Sequence, residues 1–255
     1  MVMDNLILIL LLFLGASLAS FFSCVIENPL KTFSLKGKSS CNHCNNKLQI
    51  NDLIPIFSFI FLRGKCRYCK KSIKINYLIY EIFMGILFPI LWIVFRDYYL
   101  TSQIFLVLVI TSLCYIIFLD WEKMVISIPA VIIILLGSLG IWVFENNYAM
   151  NILYSKLFGL VAGFLSLWFI NKAYEFFRKR QGIGEGDPLL FAAIGVFVGI
   201  KLLFFVLVLG SVCGSIYAII LIKYKKIELT DPIPLGSFLG ISTIIIYCSS
   251  QILQF

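Results

Sequence analysis

Long stretches of the chain carry at most one charge, and they recur at bilayer length. Apolar runs lie at about 6–26, 77–95, 102–119, 125–144, 152–171, 189–200, 202–222 and 235–253, and a membrane-crossing helix needs about 17–25 such residues. The pattern predicts an all-α polytopic membrane protein with about seven or eight transmembrane helices. The sixth run is short for a span and reads as a re-entrant or half-buried helix, and the seventh follows it almost without a break. The first run is expected to stay in the protein as a helix rather than act as a signal peptide. Its leading residues Met1 to Asn5 hold no Lys or Arg, and the first positive charge, Lys31, comes only after the run.

Only the stretch between the first two runs is polar for long. The chain therefore divides into a first transmembrane helix at 1–26, a cysteine-bearing insert at 27–76 and a helical membrane domain at 77–255. Of the 255 residues, 61% are hydrophobic and 13% charged, with a mean hydropathy of +0.99. A soluble domain carries about 25% charged residues, so a soluble globular protein is excluded, as are a disordered chain, a collagen and a secreted disulfide scaffold.

The net charge of +8 changes the picture once it is mapped onto alternate loops. Eighteen of the twenty-one Lys and Arg fall in 27–76, 120–124, 171–187 and 223–231, leaving Arg96, Lys156 and Lys201 for the other side. The positive-inside rule makes the basic side cytoplasmic, and an even number of spans then puts both termini outside. Anionic membrane lipid is the expected counter-charge for the 171–187 and 223–226 clusters. No nucleic-acid partner is needed to explain the basic balance.

Four of the eight cysteines form two C-x-x-C pairs, Cys41/Cys44 and Cys66/Cys69, separated by twenty-one residues. Each pair delivers two thiolates from one tight turn, the arrangement of a structural zinc site. A full shell of four thiolates leaves no open position for catalysis, so zinc is expected to hold the insert together. His43 lies within the first pair and could replace a cysteine, although a solvated histidine fits it as well. Cys24, Cys114, Cys213 and Cys248 stand alone in apolar runs and read as small buried hydrophobes. The apolar segment 52–61 between the pairs is expected to lie against the membrane or the helices.

Acidic groups next to spans need an account, because a carboxylate at the centre of a membrane helix costs roughly 2.5–3.5 kcal/mol. Asp120 closes the third run and Asp187 opens the sixth, both on the side assigned to the cytoplasm. Gly182, Gly184 and Gly186 precede Asp187, where they allow positive φ and a close approach of another chain, with Asp187 as an N-cap and Pro188 in the first turn. Read alone, this is a capped helix after a flexible loop. Two carboxylates at one depth on different helices could instead share a proton, one activating a water and the other donating to a peptide carbonyl. A non-enzymatic scaffold or transporter with a zinc-stabilised cap is the alternative, although transporters place their polar groups near the midplane.

Together these residues resemble the type IV prepilin (leader) peptidase family of GxGD-type membrane aspartyl peptidases. Gly182 to Asp187 is similar to the family's GxGxGD signature, and Phe118-Leu119-Asp120 to its first aspartate motif. Gly15 to Phe21, the two cysteine pairs, Asp52 to Ser58, Tyr77 to Glu81 and Pro234 to Leu239 follow in the family's order. The resemblance implies a peptidase that removes the short basic leader of prepilins and pseudopilins, with Asp120 and Asp187 as the catalytic pair, in a bacterial inner membrane. It also implies methylation of the new N-terminus from S-adenosylmethionine as a second activity. Departures from the family pattern fall at Ser23, Glu27, Ser127 and Leu189, and Glu81 matches a family glutamate. The acids Glu122, Glu185 and Glu27 would offset the repulsion between the basic loops and a basic leader.

Overall fold

The computed structural model describes residues 2–27, 40–41, 43–145, 150–179, 182–224 and 231–253. Lys31, Lys36, Lys38, Arg180, Lys225 and Lys226, part of the basic side inferred from sequence, lie outside the described residues. The regular elements among the described residues are all helical, with no extended strand: α1 (Val2–Glu27), a 3-10 turn (Ile50–Asp52), α2 (Phe57–Phe61), α3 (Ile75–Phe95), α4 (Leu100–Lys123), α5 (Ile128–Glu145), α6 (Met150–Arg178), α7 (Asp187–Lys223) and α8 (Leu235–Ile252). Seven of these are long and apolar enough to cross a membrane. They group into two compact units, Met1–Arg96 and Asp97–Phe255.

In the first unit, α1 and α3 meet through small residues. A Cβ on Gly15 would lie 2.3 Å from the Met84 carbonyl oxygen, and Ala16 and Ala19 are buried. Leu6, Ile9, Leu10 and Leu14 of the same helix are exposed. Small residues toward the neighbouring helix and large ones outward are the reverse of a water-soluble helix and suit one surrounded by lipid. The insert is tied to this pair: Phe13 stacks on Phe57 with centroids 6.2 Å apart, and Lys74 pairs with Glu27 at 2.6 Å.

The second unit is built around α7. At Gly199 the backbone leaves the helical region, with φ 77° and ψ 166°, a conformation open to glycine and closed to most other residues. The partners on either side show that the chain doubles back there. Before the break, Asp187 shares a cleft with Asp120, and Phe197 packs on Tyr247 near the end of α8. After it, Val206 lies beside Ser242, Gly210 beside Leu239, Gly214 beside Phe238, and Tyr217 against Trp121. The two arms of α7, 187–198 and 200–223, thus run in opposite directions and correspond to the sixth and seventh apolar runs. Leu190 to Phe197 of the first arm are buried on every face. A short arm is tolerated because protein, not lipid, surrounds it.

That arm lies against α6 more closely than side chains would allow. A Cβ on Gly159 would sit 2.2 Å from the Gly195 oxygen, one on Gly195 would sit 2.1 Å from the Gly159 oxygen, and one on Gly163 would sit 2.5 Å from the Phe191 oxygen. The spacing of Lys156, Gly159, Gly163 and Leu167 puts these buried positions on one stripe of α6. Gly159→Ala or Gly195→Ala is therefore expected to lower stability by about 1–3 kcal/mol through overpacking, read as a fall in the thermal unfolding midpoint in detergent. Gly85→Ala, whose Cβ would meet nothing closer than 3.4 Å, is expected to leave the midpoint unchanged.

Candidate functional site

Asp120 lies in the last turn of α4 and is 4% exposed. The helix ends just beyond it because Met124 turns left-handed, at φ 54° and ψ 43°, while its N–H still bonds the Asp120 carbonyl at 2.8 Å. The carboxylate meets the start of α8, where the first N–H groups have no partner within the helix and carry partial positive charge. Ser237, the third residue of α8, donates its N–H to Asp120 Oδ2 at 2.7 Å. Its hydroxyl lies 3.0 Å from the same oxygen and 2.9 Å from the Ile117 carbonyl, and its single proton serves one of them at a time. Gly236 makes the approach possible: a Cβ there would lie 3.1 Å from Asp120 Oδ2 and 2.7 Å from Ile126 Cδ1.

Asp187 is the first residue of α7 rather than its N-cap, a place taken by Gly186. Its Oδ2 accepts the Gly184 N–H at 3.1 Å, and its own N–H bonds the Gly184 carbonyl at 3.2 Å. The loop before it is anchored from α6, where Asn171 Oδ1 accepts the N–H groups of Gly182 at 3.2 Å and Ile183 at 3.1 Å. The left-handed conformation expected of this loop is not found, since among the described residues the glycines at positive φ are Gly64 and Gly199. The loop glycines provide room instead. A Cβ on Gly182 would fall 2.5 Å from the Tyr174 ring, and one on Gly186 would fall 2.7 Å from Ile126 Cβ.

Ile126 therefore touches Gly186 beside one aspartate and Gly236 beside the other. Around it lies a cleft of about 450 Å³ lined by Asp120, Gly184, Glu185, Gly186 and Asp187 on its polar side and by Met124, Val125, Ile128 and Leu189 on its apolar side. Two acids sixty-seven residues apart in sequence thus share one concave site. Gly236 and Ser237 lie in the Pro234–Leu239 segment noted for its resemblance, although no role was read for them there, and Asn171 was not singled out, because nothing in an isolated Asn indicates a long-range partner. Glu185 lines the cleft as a charge at its mouth. Glu27, expected to help receive a basic leader, is instead paired with Lys74.

The second cluster is in the insert. The sulfurs of Cys41, Cys44, Cys66 and Cys69 all lie within 4.8 Å of one another, with Cys41 Sγ and Cys69 Sγ 3.9 Å apart. A tetrahedron with metal–sulfur bonds of about 2.3 Å has sulfur–sulfur edges of about 3.8 Å, so the four thiols could hold a metal ion. The two turns share one pattern. The first cysteine's N–H bonds the carbonyl five residues on, Cys41 to Asn46 at 3.0 Å and Cys66 to Lys71 at 2.9 Å. The residue after the second cysteine is left-handed in both, Asn45 at φ 54° and Lys70 at φ 58°. Backbone N–H groups of Cys44 and His43 lower the Cys41 thiol to about 7, which favours the thiolate. His43 contributes its backbone rather than its ring to this cluster.

Asp52 and Glu81 join the insert to itself and to α3. Asp52 takes Arg67 Nε at 2.7 Å and the Gln49 N–H at 3.1 Å. Glu81 Oε2 accepts the Ile56 N–H at 2.6 Å. Ile56 is held at φ 65° and ψ −55°, with Phe57 N–H closing on the Pro55 carbonyl at 2.6 Å, so the buried glutamate secures a tight three-residue turn. Of the isolated cysteines only Cys114 is fully buried. Cys24 and Cys213 are exposed on apolar helix faces, contrary to the sequence reading, because those faces point away from neighbouring helices.

Residues 13–95 match the family model described as Bacterial Peptidase A24 N-terminal domain, and residues 106–219 match the Type IV leader peptidase family. The chain is similar to the prepilin leader peptidase/N-methyltransferase of Aeromonas hydrophila, at 30% identity over 206 residues, covering 80% of this chain and 69% of that protein. It is 30% identical over 218 residues to the protein of that name from Dichelobacter nodosus, covering 85% and 73% of the two chains. The Vibrio cholerae protein of that name aligns at 27% over 268 residues, with coverage of 98% and 100%. No solved structure matches the chain. Two family models in succession, and relatives at this identity across most of both chains, show that the protein belongs to the type IV leader peptidase family.

Proposed function

We propose that this multi-pass membrane protein is a prepilin leader peptidase in which Asp120 and Asp187 work as one acid–base pair at the cytoplasmic face of a bacterial inner membrane. The observation that carries the reading is the shared cleft, where two buried carboxylates from different helices are each held through Oδ2 by donors near a helix start. No described residue bonds either Oδ1, which leaves one oxygen of each acid to water and substrate.

Like charges in one low-dielectric cleft favour a state with one proton on the pair. The ionised carboxylate takes a proton from water as the water oxygen attacks the scissile carbonyl carbon. The protonated one donates to the carbonyl oxygen, giving a tetrahedral intermediate. Collapse re-forms the carbonyl and breaks the C–N bond: one hydroxyl proton of the intermediate returns to the ionised acid, the leaving nitrogen receives the proton of the other acid, and one proton again remains on the pair. The apolar wall of Met124, Val125, Ile128 and Leu189 suits the hydrophobic segment that follows a prepilin leader, and Glu185 suits the basic leader.

Zinc fits the four-cysteine cluster as a structural ion that fastens the two turns together. Methyl transfer from S-adenosylmethionine to the new N-terminus is the second activity of this reading, and the relatives carry N-methyltransferase in their names.

Intact-mass analysis of a prepilin co-expressed with the protein tests the central part. Leader loss is expected with the native chain, and Asp120→Asn and Asp187→Asn are each expected to slow it by at least about 100-fold. Cleavage by either variant at a rate near that of the native chain would remove that residue from the pair. A further methyl group on the shortened product would mark the second activity. Glu185→Lys is expected to raise KM about two- to fivefold with kcat unchanged, and an unchanged KM would take Glu185 out of leader recognition. Purified protein is expected to carry one zinc ion per chain, lost in Cys44→Ser and on chelation, as measured by elemental analysis. Metal retained in that variant would place the site elsewhere.

A further inference from the structure

Among the described residues Lys156 is the only buried basic side chain, 7% exposed. It lies on α6 at the end of the bundle away from the aspartates, and the chemistry above makes no use of it. Its Nζ donates to the Val196 carbonyl at 3.0 Å and to the Phe197 carbonyl at 3.3 Å. Those two carbonyls belong to the last turn of the first arm of α7. In a continuous helix they would accept the N–H groups of residues 200 and 201, but the break at Gly199 takes the backbone away. The ammonium group supplies the missing donors, and its charge meets the negative end of the helix dipole. A lysine from a neighbouring helix thus closes an arm whose other end carries Asp187.

The four levels of contact between α6 and the segment 182–197 differ in kind. In the middle, Gly159 faces Gly195 and Gly163 faces Phe191, backbone to backbone. These contacts fix how closely the helices approach and are made by backbone, with the buried Leu167 side chain beside them on the same stripe of α6. Directional bonds occur at the two ends: Asn171 to the loop before Asp187, and Lys156 to the carbonyls at the break. Ten residues separate Asp187 from Phe197, about 15 Å of helix. A shift at the Lys156 end is carried through this stiff, fully enclosed arm to the carboxylate.

We propose that Lys156 is a positioning residue for leader cleavage, one that sets the axial register of the arm 187–198 and so holds Asp187 level with Asp120. The proposal rests on the aspartate pair being the catalytic site. A misplacement of about 1 Å can cost a reaction on the order of 100-fold, whereas the apolar wall of the cleft, which faces the substrate, does not touch Lys156.

The test is prepilin cleavage by the purified full-length protein, with kcat and KM measured separately for Lys156→Met and Lys156→Arg and Asp187→Asn assayed beside them. Methionine keeps the length and removes the donors, and arginine keeps both charge and donors. Lys156→Met is expected to lower kcat by about 10–100-fold with KM within about twofold, and Lys156→Arg to recover kcat to within about threefold of the native protein. A Lys156→Met protein with native kcat overturns the proposal. So does a loss of kcat that arginine does not restore, or a variant that fails to accumulate folded in the membrane, since either makes Lys156 a folding residue. Cleavage by Asp187→Asn that is slowed by less than about 100-fold would instead overturn the aspartate reading, a separate result.

Discussion

Burying two carboxylates in so apolar a bundle requires that hydrogen-bond donors be brought to each, one from the first turn of a helix and one from the loop that leads into a helix. An unpaired charge in this setting costs several kcal/mol, while the opening N–H groups of a helix lack acceptors of their own. At Asp120 each need meets the other, through the Ser237 N–H in the first turn of α8, while Asp187 is served by the Gly184 N–H of the loop before α7. Much of the second unit follows from this arrangement. The chain must turn left-handed at Met124, keep glycine at 236 and 186, and reverse at Gly199 so that α8 can return its first turn to Asp120.

Glycine is used here chiefly as the absence of a side chain. Gly159 against Gly195, and Gly186 and Gly236 against Ile126, are places where any Cβ would overlap a neighbour. With a side chain at Gly159 or Gly195 the first arm of α7 would stand farther from α6. The first unit obeys the same rule at Gly15. Its insert depends on different chemistry, with four thiols gathered around one point, Asp52 joining Arg67, and Glu81 holding the turn at Ile56. The insert has little apolar core, so metal binding would account for much of its folding energy.

The elements were legible in the sequence because bilayer-length apolar runs and paired cysteines are local signals. The short sixth run and the close seventh are the two arms of α7, and their separation at Gly199 reflects a conformation that only glycine adopts easily. The aspartates stood out for the cost of charge beside a span. Their supports did not. Asn171, Ser237 and Lys156 act across 11, 117 and 40 residues of sequence, respectively, and an isolated polar residue gives no sign of a partner so distant. Of the two uses read for the glycine loop before Asp187, positive φ and a close approach of another chain, the structure shows the second. Periodicity could not foresee which neighbours come close, because that depends on where Ile126 and Tyr174 end up.

The central claim is that Asp120 and Asp187 act as one unit. A double-mutant cycle on cleavage, with the residual rates of Asp120→Asn, Asp187→Asn and the double variant followed by mass spectrometry over long incubations, tests it most directly. Residues that share one proton and one water lose their function together. The account predicts that the double variant is no slower than the slower single variant. Losses that multiply in the double variant would mean that the two acids contribute independently, and the pair would have to be abandoned.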